Sequence, residues 1–168
     1  GIMTIIIVLL LLMLALLSIL EVSFTSLNII RIKRLADTGN KSAKVVYKLY
    51  SNYSETLTTI LVINCICGIL VSTLTTYYFS NLYGDKIIPL VTIILTIIIL
   101  VFTEIAPKII GREYAEDYAL KLCNLLKWMV KLLLPLTKAI GKFEKKVKNN
   151  HKVTATKDEL VEIVKTIK

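Results

Sequence analysis

Three stretches without a single charged residue, 1–20, 56–84 and 87–103, organise the chain. Within each, Ile, Leu and Val recur on every face that a helix would present. A bilayer core of about 30 Å needs roughly 20 apolar residues in a helix, with a range of about 17–25. The pattern therefore predicts three membrane-spanning helices in an all-α integral membrane protein. No basic residue precedes the first stretch and no small-residue cleavage pattern follows it, so it reads as a span and not as a signal peptide. After Pro107 the pattern changes. Residues 112–148 read as helix, with Lys121, Lys127 and Lys131 interrupting Leu, Val and Trp128, and with Pro135 as a break. Such a helix is amphipathic and suits a place on or beside the inner membrane surface, as part of a cytosolic-side juxtamembrane belt. Near the end, Thr156-x-x-Glu159 reads as a capping box that opens a short helix with Leu160, Ile163, Val164 and Ile167 on one side. The expected division is a three-span domain over 1–110 with a basic helical loop at 27–53, amphipathic helices over 111–150, and the start of a linker over 151–168.

Composition excludes the other broad classes. Of 168 residues 55% are hydrophobic, too many for a soluble globule of this length or for a disordered chain. The net charge of +9 changes the picture through its distribution. Arg31, Lys33, Arg34, Lys41, Lys44 and Lys48 lie between the first two spans, Lys86 lies between the second and third, and the other 14 basic residues follow Pro107. Basic loops stay cytoplasmic. The expected topology is a multi-pass protein of the cell membrane with its N-terminus outside and its C-terminus in the cytosol. Tyr77, Tyr78, Phe79 and Tyr83 then form an aromatic belt at the outer interface. The same rule accounts for the positive charge without nucleic acid, and the cluster Lys142, Lys145, Lys146 and Lys148 is expected to touch anionic lipid. Cys65, Cys67 and Cys123 read as inert buried thiols.

Polar residues inside a membrane mark function. Ser18 and Glu21 share one face near the end of the first span, Asn64 lies within the second, and Glu104 closes the third. At ~1.5 Å per residue, Ser18 lies ~24 Å, Asn64 ~18 Å and Glu104 ~26 Å from the outer side, which agree within about a turn. Pro107 has no N–H for the carbonyl four residues back, which is that of Thr103. Freed carbonyls in broken helices bind cations in transporters. A hydroxyl, an amide oxygen, a carboxylate and a carbonyl suit a hard cation such as Mg²⁺, Ca²⁺ or Na⁺. A plainer reading stands beside this one: Asn64 joins helices by hydrogen bonding, and Glu21 or Glu104 lies among headgroups, paired with Arg31 or Lys108. Gly68-x-x-x-Ser72 reads as a packing face. A three-span monomer has little interior for Asn64, Gly68, Ser72 and a Thr92/Thr96/Thr103 stripe, so a homodimer is expected. No enzyme is expected, since the spans carry neither a histidine nor an aspartate pair and no H-E-x-x-H or G-x-S-x-G occurs.

The segments Ser18-Ile-Leu-Glu21, Ser26-Leu27-Asn28 and Arg31-Ile-Lys-Arg-Leu-Ala-Asp-Thr-Gly39-Asn40-Lys-Ser-Ala43 resemble the opening of the CNNM/CorC transmembrane domain. Thr59-Ile-Leu-Val-Ile-Asn64 and Phe102-Thr-Glu104-Ile-Ala-Pro107-Lys108 continue the resemblance, collinear over about residues 15–120. The resemblance implies a homodimeric Mg²⁺ transporter with three transmembrane helices and a juxtamembrane belt per subunit. It implies Mg²⁺ efflux, Na⁺ as the proposed coupling ion, and cytosolic CBS domains that bind nucleotide beyond this segment. Ser18, Asn64 and Glu104 match the family's Mg²⁺ ligands. The chain departs from the family pattern at Thr103, often glycine, at Gly68, often a second asparagine, and at Glu21-Val22-Ser23, usually E-T-A. A water in place of the missing amide is one consequence. A Mg²⁺-sensing regulator of another transporter would need the same cation site.

Overall fold

A computed structural model of the chain describes residues 1–151 and 158–167 in full and the backbone of 152–157. It comprises two compact units, Gly1–Leu132 and Leu133–Lys168. Among the described residues every regular element is helical.

In the first unit, α1 (Ile2–Thr25), α4 (Tyr53–Tyr83) and the continuous helical run Asp85–Glu113 are long and apolar enough to cross a membrane. Between the first two lie α2 (Ile29–Asp37) and α3 (Lys41–Ser51). Their ends are written in local chemistry. The Asn28 side chain caps α2 by accepting from the Arg31 N–H, and Asn40 caps α3 by accepting from the Ala43 N–H. Gly39, at φ 97°, terminates α2 in the left-handed conformation that a Cβ would disfavour. Its neighbour Asn40 returns an N–H to the Leu35 carbonyl and closes the turn. Thr56, at the start of α4, donates its hydroxyl to the Leu49 carbonyl and fixes the corner between α3 and α4.

The third span is not one regular helix. It comprises a 3-10 turn (Asp85–Ile87), α5 (Ile88–Ile99), a π-helical segment (Leu100–Ile105) and α6 (Ala106–Glu113). Pro107 was expected to break the helix; instead it occupies the first turn of α6, where its missing N–H is tolerated, and the run continues to Glu113. The next helix, α7 (Ala115–Leu132), starts a few residues later than the pattern suggested.

The buried residues of α1 all lie in its C-terminal half. Leu14, Leu17, Leu20 and Phe24 are buried against Ile60, Cys67 and Val71 of α4 and Leu126 and Met129 of α7, whereas Ile2, Ile5, Leu9 and Leu12 are exposed. Phe24, Tyr50 and Tyr53 form an aromatic triad with centroids 5.4–5.6 Å apart. The amphipathic reading of α7 is realised by burial of Ala115, Ala119, Cys123, Leu126 and Met129 on one face, with Lys121, Lys127 and Lys131 exposed. Cys65 corrects the reading of three buried thiols, because it is exposed on α4 while Cys67 and Cys123 are buried.

The second unit is the helix α8 (Leu134–Thr166), with Pro135 in its first turn. The Thr156 side chain lies outside the described residues. Glu159 falls inside α8 rather than opening a new helix, and the apolar Leu160, Ile163, Val164 and Ile167 are exposed.

Candidate cation site

Ser18 continues the buried stripe of α1, one residue after Leu17 and four after Leu14. It is fully buried, and its hydroxyl has no hydrogen-bond partner. Asn64 stands four residues after Ile60 and three before Cys67 on α4, both buried against α1. Its side-chain oxygen is likewise enclosed and unpartnered. Both residues thus stand beside positions of the core that α1 and α4 share. An enclosed polar atom without a partner costs roughly 1–3 kcal/mol.

Glu104 belongs to the π-helical segment, which packs against α1. Its carboxylate lies 2.9 Å from the Lys108 ammonium, and both side chains are about one-third exposed (32% and 34%). A groove lined by Leu100, Glu104, Ile105, Lys108, Ile109 and Arg112 surrounds the pair. Neither Ser18 nor Asn64 lines this groove. The pairing of Glu104 with Lys108 is the one raised by the plainer reading of the sequence. Arg31, the other cation in that reading, instead pairs with Glu116 of α7 at 3.0 Å.

The π-helix alters the argument about the freed carbonyl. The Ala106 N–H reaches back five residues, to the Val101 carbonyl. Pro107 follows with no N–H, so it serves neither the Thr103 carbonyl four residues back nor the Phe102 carbonyl five back. Pro107 thus withholds a main-chain donor from this pair of carbonyls, Phe102 and Thr103. Thr103 itself is buried, with its hydroxyl donating to the Ile99 carbonyl at 2.6 Å. Thr92 and Thr96 donate in the same way to carbonyls four residues back. The stripe expected to need a second subunit is therefore satisfied within its own helix, and Thr103 does not share the exposure of the other two. Gly68 is half-buried, and a Cβ there would meet nothing within 4 Å, so the side of α4 on which Gly68 lies has open space, although its neighbours Cys67 and Val71 are buried.

Two features escaped the sequence reading. Gly111 of α6 lies so close to α1 that a Cβ would stand 2.9 Å from the Ile19 carbonyl oxygen, and the Ser23 hydroxyl donates to the Gly111 carbonyl at 3.3 Å. A glycine within an apolar and basic run was the available signal. The other is the unpartnered hydroxyl of Thr75, a buried residue that belongs to the Asn64, Gly68 and Ser72 stripe read from the sequence as a packing face. It lies 11 residues beyond Asn64, about 16 Å along α4, and so apart from the other oxygens.

Among the described residues no three of His, Cys, Asp and Glu come together. The donors available are one carboxylate and several neutral oxygens, a set that suits a hard cation.

Three long apolar helices, with polar oxygens enclosed between them, define a multi-pass α-helical membrane protein. The profile of the Cyclin M transmembrane N-terminal domain, CNNM, matches residues 5–168, and the chain belongs to this family. It is 33% identical over 89 residues to a UPF0053 protein of Haemophilus influenzae, covering 53% of this chain and 21% of that protein. It is 36% identical over 80 residues to the UPF0053 inner membrane protein YfjD of Escherichia coli K12, covering 48% of this chain and 19% of that protein. The matched region thus spans about a fifth of the length of these relatives. Family membership points to a membrane transport-related function.

Proposed function

We propose that this domain carries Mg²⁺ across the membrane as a homodimer, with Ser18, Asn64 and Glu104 as ligands and a main-chain carbonyl of the π-helical segment completing the protein's share. The observation that carries the reading is the pair of enclosed, unpartnered oxygens on α1 and α4, Ser18 Oγ and Asn64 Oδ1. Mg²⁺ demands six oxygens at about 2.0–2.1 Å and keeps several waters, so a few protein oxygens suffice. A cation would satisfy both orphans at once and take the Glu104 carboxylate as its counter-charge. The role is transport rather than catalysis. Efflux, Na⁺ coupling and cytosolic CBS domains that bind nucleotide follow from the family resemblance, a cytosolic C-terminus follows from the distribution of basic residues, and all belong to the same proposal.

Purified protein in liposomes loaded with a Mg²⁺-sensitive dye tests it. The parent is expected to pass Mg²⁺ down its gradient and Glu104→Gln to pass none. A parent that binds Mg²⁺ without flux would make the domain a sensor that regulates another transporter.

A further inference from the structure

Lys108 stands one helical turn beyond Glu104, its ammonium 2.9 Å from the carboxylate. The helix that carries it, α6, is held against α1 at Gly111, which abuts Ile19 and accepts from Ser23. Glu21 belongs to the same stretch of α1, two residues from both Ile19 and Ser23. Lys108 therefore has one carboxylate paired with it on its own helix and a second on the stretch of α1 that its helix abuts.

Resting on the reading of Glu104 as a ligand of the transported cation, we propose that Lys108 is a tethered competitor for the site. Its ammonium holds Glu104 while no metal is bound and transfers to Glu21 when Mg²⁺ takes the Glu104 carboxylate. The physical grounds are three. A carboxylate at this depth is costly without a counter-charge, so an empty carrier needs a substitute cation. A tethered partner acts at a high effective concentration and is always at hand. An ammonium and a dication repel strongly at a separation of a few ångströms, so the first must withdraw when the second binds. Glu21 receives it, so that Glu104 has a counter-charge at every stage. The competition also weakens Mg²⁺ binding, which a carrier needs in order to release its cargo.

Calorimetric Mg²⁺ titration of the detergent-solubilised chain tests the scheme. Lys108→Met is expected to bind about tenfold more tightly, which corresponds to ~1.4 kcal/mol, and Lys108→Arg to bind like the parent. Glu21→Gln is expected to weaken binding in the parent but not in the Lys108→Met background, because its role runs through Lys108. Equal weakening in both backgrounds would make Glu21 a direct ligand and overturn the transfer. Unchanged or weaker binding by Lys108→Met would overturn the competition. If Glu104→Gln binds Mg²⁺ as the parent does, the ligand reading itself fails. If Glu104→Gln loses binding while Lys108→Met does not tighten it, only the competitor fails. A second measurement uses the unaltered chain, in which a carbodiimide joins paired amines and carboxylates without a spacer. Mass spectrometry is expected to find Lys108 joined to Glu104 in chelator and to Glu21 in Mg²⁺. A Lys108–Glu104 product that Mg²⁺ leaves unchanged would overturn the proposal.

Discussion

The oxygens of the third span and those of the first two differ in one respect. Thr92, Thr96 and Thr103 each donate to a carbonyl four residues back, so the third span satisfies its own hydroxyls. Ser18 and Asn64 lie on helices just as apolar, are enclosed, and have no partner. A polar side chain in a membrane helix is thus not in itself a sign of function. What separates the two groups is whether the helix already completes the hydrogen bonding. The third span contributes instead a carboxylate, on a segment whose backbone has widened to the π register, a feature frequent at functional sites.

The comparison can be broken by substitution. Glu104→Gln removes the only formal charge in the proposed ligand set and is expected to weaken Mg²⁺ binding about 100-fold or more, roughly 2.7 kcal/mol, in a calorimetric titration. Gly111→Ala is expected to lower stability by about 1–3 kcal/mol, because the new methyl meets backbone rather than a flexible side chain. Thermal unfolding in detergent would show it. Ser18→Ala and Asn64→Ala are each expected to weaken Mg²⁺ binding about tenfold, as each deletes a neutral ligand. In chelator the sign reverses for Ser18→Ala. Without metal its hydroxyl is an enclosed orphan, so the alanine variant should be as stable as the parent or more so. The smallest effect belongs to Thr92→Val with Thr96→Val, expected to leave Mg²⁺ affinity within twofold. A large loss there would erase the distinction between satisfied and orphaned oxygens.

Much of the fold was legible because charge-free length is a strong signal. The three spans follow from it directly, whereas the caps at Asn28 and Asn40 and the turn at Gly39 are findings of the structure. The π-helical segment was not legible. It depends on how Leu100–Ile105 repack against α1, and a proline in an apolar run suggests a broken helix as readily as a widened one. The Lys108–Glu104 pair was visible as a four-residue spacing and appeared only as a rival to the cation site. Ser18 and Asn64 could be selected by depth, but their enclosure depends on the packing of α1 against α4, which depth alone does not specify. The three-residue hydroxyl stripe misled because periodicity cannot reveal that a threonine bonds back to its own helix.

The central claim is that oxygens from three spans converge on one cation. A crystal structure of the chain with Mn²⁺ in place of Mg²⁺, read through the anomalous signal of the metal, tests it most directly. The account predicts one peak at coordination distance, about 2 Å, from Ser18 Oγ, Asn64 Oδ1 and a Glu104 carboxylate oxygen, with the Lys108 ammonium turned away toward Glu21. A peak bound to Glu104 alone in the groove beside Lys108 and Arg112, with Ser18 and Asn64 still unpartnered, would contradict it.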